Sequence, residues 1–215
     1  MTVAQLAAPL FALSLLAAST AHAQSASMSI SVQPNAQAAA PSSMWAIDVS
    51  HSDVTFRIRH LVSRVTGTFN EWKGTIVADP AAWEDATIEV AIQSASIDTR
   101  NERRDNDLRS NNFFDAANHP VIAFRSTKVE RTGDKAKIHG ELTMKGVTRP
   151  VVLEGSLTGL ATPASGRARV GFEASTTVNR LDYGITWNRA AEGGGALLGD
   201  EVEISINIEA IRQAP

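Results

Sequence analysis

Between Glu201 and Ala210 every second residue is apolar: Val202, Ile204, Ile206, Ile208 and Ala210 alternate with Glu201, Glu203, Ser205, Asn207 and Glu209. A period of two does not suit a helix, whose faces repeat about every 3.6 residues, but it gives a strand one wet and one dry face. Val54, Phe56 and Ile58 alternate in the same way with Asp53, Thr55, Arg57 and Arg59, and Ile88, Val90 and Ile92 with Thr87, Glu89 and Gln93. Weaker alternation runs through residues 65–77, 121–129, 137–144, 147–157 and 169–178. The pattern predicts about eight strands, paired antiparallel with one face solvated. Thr132-Gly133-Asp134 and Lys145-Gly146 fall where hairpin turns are needed. The fold class is all-β, either a barrel or a sandwich. Eight strands closed on themselves leave an interior that side chains fill or that holds one small ligand.

Helical spacing occurs only near 101–111, enough for one short helix. That helix lies in a polar crossover, residues 96–124, far longer than the two to five residues a hairpin needs. Phe113 and Phe114 are adjacent within this polar segment, which fits a plug or lid laid on an apolar opening, or a solvated crossover whose aromatics cap the core. Arg103, Arg104 and Arg109 suit a phosphate or a quinone carbonyl at such an opening. Pairing of Arg100, Arg103, Arg104 and Arg109 with Asp98, Asp105, Asp107 and Asp115 is the favoured expectation for this cluster.

The 215 residues suffice for one domain with a sizeable core, and the net charge of −3 gives no field for nucleic acid or an anionic membrane surface. Residues 6–18 form an apolar run too short to span a bilayer, followed by Ala21-His22-Ala23. This reads as a signal peptide over 1–23, cleaved after Ala23, with a flexible Ser/Ala/Gln/Pro linker over 24–44 and the domain over 45–215. Export would place the protein in the periplasm of a two-membrane bacterium, without stable membrane insertion. The chain has no cysteine, which rules out thiolate metal sites, a cysteine nucleophile and a lipidated N-terminal cysteine. His51, His60, His119 and His139 show no metal-ligand spacing, and no Gly-x-Ser-x-Gly elbow occurs. No catalytic residues, metal ligands or catalytic cofactor are assigned.

An ordered set of short motifs runs through the domain: Trp45-Ala-Ile-Asp48 with His51-Ser52, Phe56-Arg-Ile-Arg-His60-Leu61, Val65-Thr-Gly67-Thr-Phe69 and Ser96-Ile-Asp98-Thr99. Arg104-Asp105, Leu108-Arg109-Ser110, Phe113-Phe114, Leu142-Thr-Met-Lys-Gly146-Val147-Thr148-Arg-Pro150-Val151 and Gly171-Phe172-Glu173-Ala174 complete it. Over about residues 45–212 the chain resembles the YceI-like family of secreted lipid-binding proteins, and it departs from them at Asp107, where the family often has histidine. The resemblance implies a lipocalin-like barrel rather than a sandwich. It also implies a carrier of an isoprenoid quinone, a polyprenyl lipid or a fatty-acid-like amide, acting without covalent chemistry.

The dry faces then supply the expected tail contacts: Phe56, Ile58 and Phe69 early in the chain, Ile88, Val90 and Phe124 in its middle, and Leu142, Phe172 and Trp187 later. Phe56, Phe69, Leu142 and Phe172 are the foremost of these. Phe113 and Phe114 cover one end, and Tyr183, the single tyrosine, either offers a hydroxyl to the ligand or sits at the rim. Gly67, Gly74, Gly140, Gly155 and Gly171 interrupt the strands, which is compatible with a curved barrel whose lumen is not fully packed. A homodimer is compatible with this reading. Two other readings are an enzyme acting on the enclosed lipid, and a filled barrel serving protein contacts or a stress response.

Overall fold

The strands are β1 (Ser43–Ile47), β2 (Asp53–His60), β3 (Ser63–Phe69), β4 (Trp72–Asp79), β5 (Ala82–Gln93) and β6 (Ile97–Asp98) in the first half of the domain. After helix α1 (Glu102–Arg109) come β7 (Val121–Thr132), β8 (Lys135–Met144), β9 (Val147–Ala161), β10 (Arg169–Asn179) and β11 (Leu198–Arg212). The computed structural model describes residues 43–79, 81–164, 166–190 and 194–214. The expected signal peptide, and the expected linker up to residue 42, lie outside the described residues. β1 starts at Ser43, two residues ahead of the expected domain start.

Every pairing in the sheet is antiparallel, and β1 pairs with both β4 and β11, so the sheet closes on itself. β1 and β2 lie end to end along β11, with Trp45 opposite Arg212 and Thr55 opposite Ser205. β3 and β4 likewise run end to end, as do β5 and β6. The wall is therefore an eight-stranded antiparallel barrel in which three strands are broken and each strand pairs with its neighbours in sequence. The expected single strand over 65–77 breaks at Asn70 and Glu71, whose backbone bonds go to Ser96 and Gln93 at the neighbouring break. Lys145 and Gly146 both take positive φ, 50° and 75°, the geometry of a two-residue turn that matches the twist of β8 and β9.

The break between β1 and β2 is held by Asp48. Its carboxylate accepts from the Ser50 hydroxyl (2.6 Å) and meets His51 Nδ1 at 3.0 Å. These contacts, the Ser50 hydroxyl foremost, hold its pKa at about 2, below the ordinary 3.8. A carboxyl lowered in the folded state adds stability above its unfolded pKa and loses it as pH falls through the folded value. Asp48→Asn is expected to cost up to about 2 kcal/mol near pH 6, with the gap to wild type closing as pH falls from 4 to 2. Urea denaturation across that range measures it.

Two ladders are incomplete: β9 and β10 pair only as far as Glu154 opposite Ser175, and the ladder of β5 with β7 also stops short. β5 and β7 pair only from Glu89 opposite Arg125 to Gln93 opposite Val121. Where pairing stops, the Ser126 hydroxyl accepts from the Ile88 backbone N–H at 2.8 Å, taking the place of a strand carbonyl. The first part of β5 pairs with β4 alone and is free to lean inward.

Candidate functional site

The barrel encloses a cavity of about 790 Å³. Phe56, Ile58, Phe69, Ile88 and Val90 line it from the first strands, Phe124 and Leu142 from β7 and β8, and Phe172 from β10. The alternation read from the sequence thus places these side chains in one lumen. Glycine keeps that lumen from filling. A Cβ on Gly67 would lie 2.4 Å from the Phe56 ring, and one on Gly140 would lie 2.5 Å from the Phe124 ring. The far edge of each ring thus occupies the space that a side chain on the neighbouring strand would need.

The crossover closes one end. Phe113 is buried and packs on Trp187 with ring centroids 5.2 Å apart; Phe114 meets Phe69 edge-on at 5.8 Å, and all four line the cavity. The lid backbone is anchored independently of its rings. Phe114 N–H donates to the Leu108 carbonyl and Ala116 N–H to that of Arg109 (both 3.0 Å), while Lys145 Nζ reaches the carbonyls of Asn111 (2.9 Å) and Gly184 (3.3 Å).

Around this lid Arg103, Arg104 and Asp107 line the mouth of the cavity. Arg103 is exposed, whereas Arg104 is tied to Thr99, donating from Nε to Oγ1 (2.7 Å) and from Nη2 to the carbonyl (2.8 Å). Arg109 does not line the cavity: its Nε donates to the Ala95 carbonyl (2.6 Å) and its Nη2 to that of Ile97 (2.8 Å), fastening α1 to the barrel edge. The expected arginine–aspartate pairing in this segment is replaced by other contacts, and no such pair is within salt-bridge distance among the described residues. Asp105 instead accepts from the backbone and hydroxyl of Thr99, because the helix start sits directly over that strand end. The arginines reach carbonyls that the short β6 leaves outside any ladder. Tyr183 is also corrected. It is 2 % exposed, packs in the same buried cluster as Phe69 and Phe113, with burial raising its pKa, and is not among the residues that line the cavity. The turn that follows β10 ends at Gly184 (φ 71°) and directs Tyr183 inward.

The sequence reading missed Arg180, a wall residue that is 3 % exposed. Its guanidinium donates to the carbonyls of Gly199 (2.9 Å), Ile185 (2.5 Å) and Trp187 (3.0 Å) and to Asp200 Oδ1 (3.0 Å). It thereby sets the segment that carries Trp187 against the lid. Burial lowers its pKa, opposed by Asp200.

Residues 45–210 match the YceI-like domain model. The chain belongs to the YceI-like family. It is 36 % identical over 164 residues to a UPF0312 protein of Pseudomonas paraeruginosa, covering 76 % of this chain and 83 % of the relative. A crystal structure of the Campylobacter jejuni YCEI protein has a TM-score of 0.63 at 30 % identity and covers 73 % of this chain and 90 % of that one. A polyisoprenoid binding domain from Saccharophagus degradans shares the fold, with a TM-score of 0.61 at 14 % identity over 79 % of this chain and 98 % of the other.

Within this family fold, one group of metal-ligating types converges among the described residues: Asp48, His51 and Glu209. Arg169 Nη1 contacts both carboxylates, so a cation already occupies that position. No helix among the described residues is long and apolar enough to cross a membrane.

The open lumen changes what core truncation should cost. In a filled core Leu142→Ala would lose about 2–5 kcal/mol by leaving a void. Leu142 borders a cavity, so its loss should cost only about 1 kcal/mol while weakening tail binding about tenfold. Thermal unfolding and a lipid-binding titration on the same variant check both.

Proposed function

We propose that the protein is a non-catalytic carrier that sequesters and transfers a long-tailed amphiphile, an isoprenoid quinone, polyprenyl lipid or fatty-acid-like amide. The tail lies in the lumen and the head group near Arg103 and Arg104. The observation that carries this reading is the 790 Å³ cavity itself, apolar along the wall and covered by aromatic rings at one end. Each buried methylene is worth about 0.8 kcal/mol, so a tail supplies affinity with little discrimination among heads. The same fold serves a polyisoprenoid binding domain in Saccharophagus degradans. The apolar run 6–18 and Ala21-His22-Ala23 support export to the periplasm, with the mature chain beginning at Gln24.

Mass spectrometry of lipid extracted from protein purified from its native host tests the carrier reading. A stoichiometric isoprenoid or acyl species is expected; repeated absence of any lipid would favour a filled, ligand-free role. N-terminal sequencing of exported protein tests the cleavage site.

A further inference from the structure

Trp83 and Phe172 meet across the barrel. Trp83 is on β5 and Phe172 on β10, and around the closed wall three strands separate them in either direction. Yet their rings touch edge-to-face with centroids 5.2 Å apart, and both line the cavity. Rings on opposite walls that touch must span the lumen between them. Trp45 backs the bar, 5.7 Å from Trp83 and 1 % exposed, so Trp83 cannot yield readily to a tail pressing on it.

Trp83 reaches inward because of two irregularities. Ala86, Ile88, Val90 and Ile92 face the lumen at even positions, and strict alternation would send Trp83 outward. The register shift between Val77 and Asp79 reverses that phase, and the absence of β7 pairing below Glu89 lets this end of β5 lean in.

We propose that the Trp83–Phe172 bar is a stop that sets the length of tail this protein takes. The inference rests on the carrier reading and specifies its ligand further. From Phe172 to Val178, the inward residues of β10 cover six steps, roughly 20 Å of strand and roughly 15 Å along the axis of a tilted barrel, with Arg180 just past the strand's end. Allowing each CH₂-sized group roughly the 30 Å³ share of a liquid water molecule, 790 Å³ holds about 25 carbons, or about five isoprene units. A longer tail must leave its excess outside.

The test is competition binding of all-trans polyprenols of graded length to delipidated protein, read by native mass spectrometry. For wild type, affinity should climb to about five units and change less than about twofold beyond. Trp83→Ala should remove the stop and raise affinity for an eight-unit polyprenol about tenfold over wild type. Ala174→Phe, one inward step above Phe172, should raise the floor and move the plateau to shorter tails; it adds bulk and leaves Trp83 packed on Trp45, so it keeps the test alive if Trp83→Ala does not fold. Binding with the plateau unmoved in every variant that folds, or a wild-type affinity that keeps climbing past six units, overturns the stop alone. No binding at any length overturns the carrier reading for isoprenoids together with it.

Discussion

Arg180→Met is expected to lower stability by about 2–4 kcal/mol and to hasten loss of a bound amphiphile. Methionine keeps much of the aliphatic volume but offers no donor, so the carbonyls of Ile185, Trp187 and Gly199 lose the guanidinium that satisfies them. An unsatisfied buried polar group costs about 1–3 kcal/mol, and water entering from the nearby mouth should recover part of that for three groups. Asp200 contributes less, because its side chain is half exposed and remains solvated without a partner. Arg180→Lys should restore little, since one ammonium cannot reproduce the planar fork that serves three carbonyls and a carboxylate at once. Urea denaturation gives the stability, and transfer of a fluorescent lipid to acceptor vesicles gives the release rate. Equal stability of Arg180→Met and wild type would show that the rim segment holds Trp187 without Arg180.

Arg180 also shows what the sequence offered and what went unread. Phe172, Ala174, Thr176 and Val178 all face the lumen, and Arg180 continues the same parity. Arg180 is the first residue past the end of β10, and a charged residue that extends a strand's apolar phase has to find partners indoors, so that signal was present. Tyr183, which was read as a ligand or rim residue, lies three positions later, past the end of the strand. There the turn rather than alternation decides direction, and it directs the ring into the core.

The wall was legible because alternation is a local property: Phe56, Ile58, Ile88, Val90 and Leu142 line the lumen at the phase their strands predicted. Trp83 was not, since the register shift that turns it inward depends on pairing between β4 and β5. The three strand breaks have the same origin. The β3/β4 and β5/β6 breaks exchange backbone bonds, Asn70 with Ser96 and Gln93 with Glu71, whereas the β1/β2 break is tied by Asp48 N–H to the Glu209 carbonyl of β11. In the crossover, charge composition suggested ion pairs, but a short helix set over the end of β6 gave its aspartate and arginines backbone partners at closer range. The paired aromatics of that same segment were readable as a cover, over either an opening or a filled core, and the cavity beneath them decides for the opening.

The lid should yield the largest change in ligand kinetics. Replacing Phe113 and Phe114 together by serine is expected to speed tail loss at least about tenfold and to cost about 3–5 kcal/mol of stability. Phe113 is 7 % exposed against Trp187, and Phe114 connects through Phe69 to Phe56, so these rings carry apolar contact from the cover to the wall. Serine removes that contact and brings polar groups to the mouth. The backbone anchors of the lid, from Phe114 to Leu108, Ala116 to Arg109 and Lys145 to Asn111, involve neither ring. The barrel ladder is likewise untouched, so the β signature in circular dichroism should persist while the denaturation midpoint falls. Stopped-flow release of a fluorescent long-chain lipid measures the rate. An unchanged rate in a folded double variant would move the exit away from the lid, to the stretch beyond Glu89 and Arg125 where β5 and β7 share no ladder.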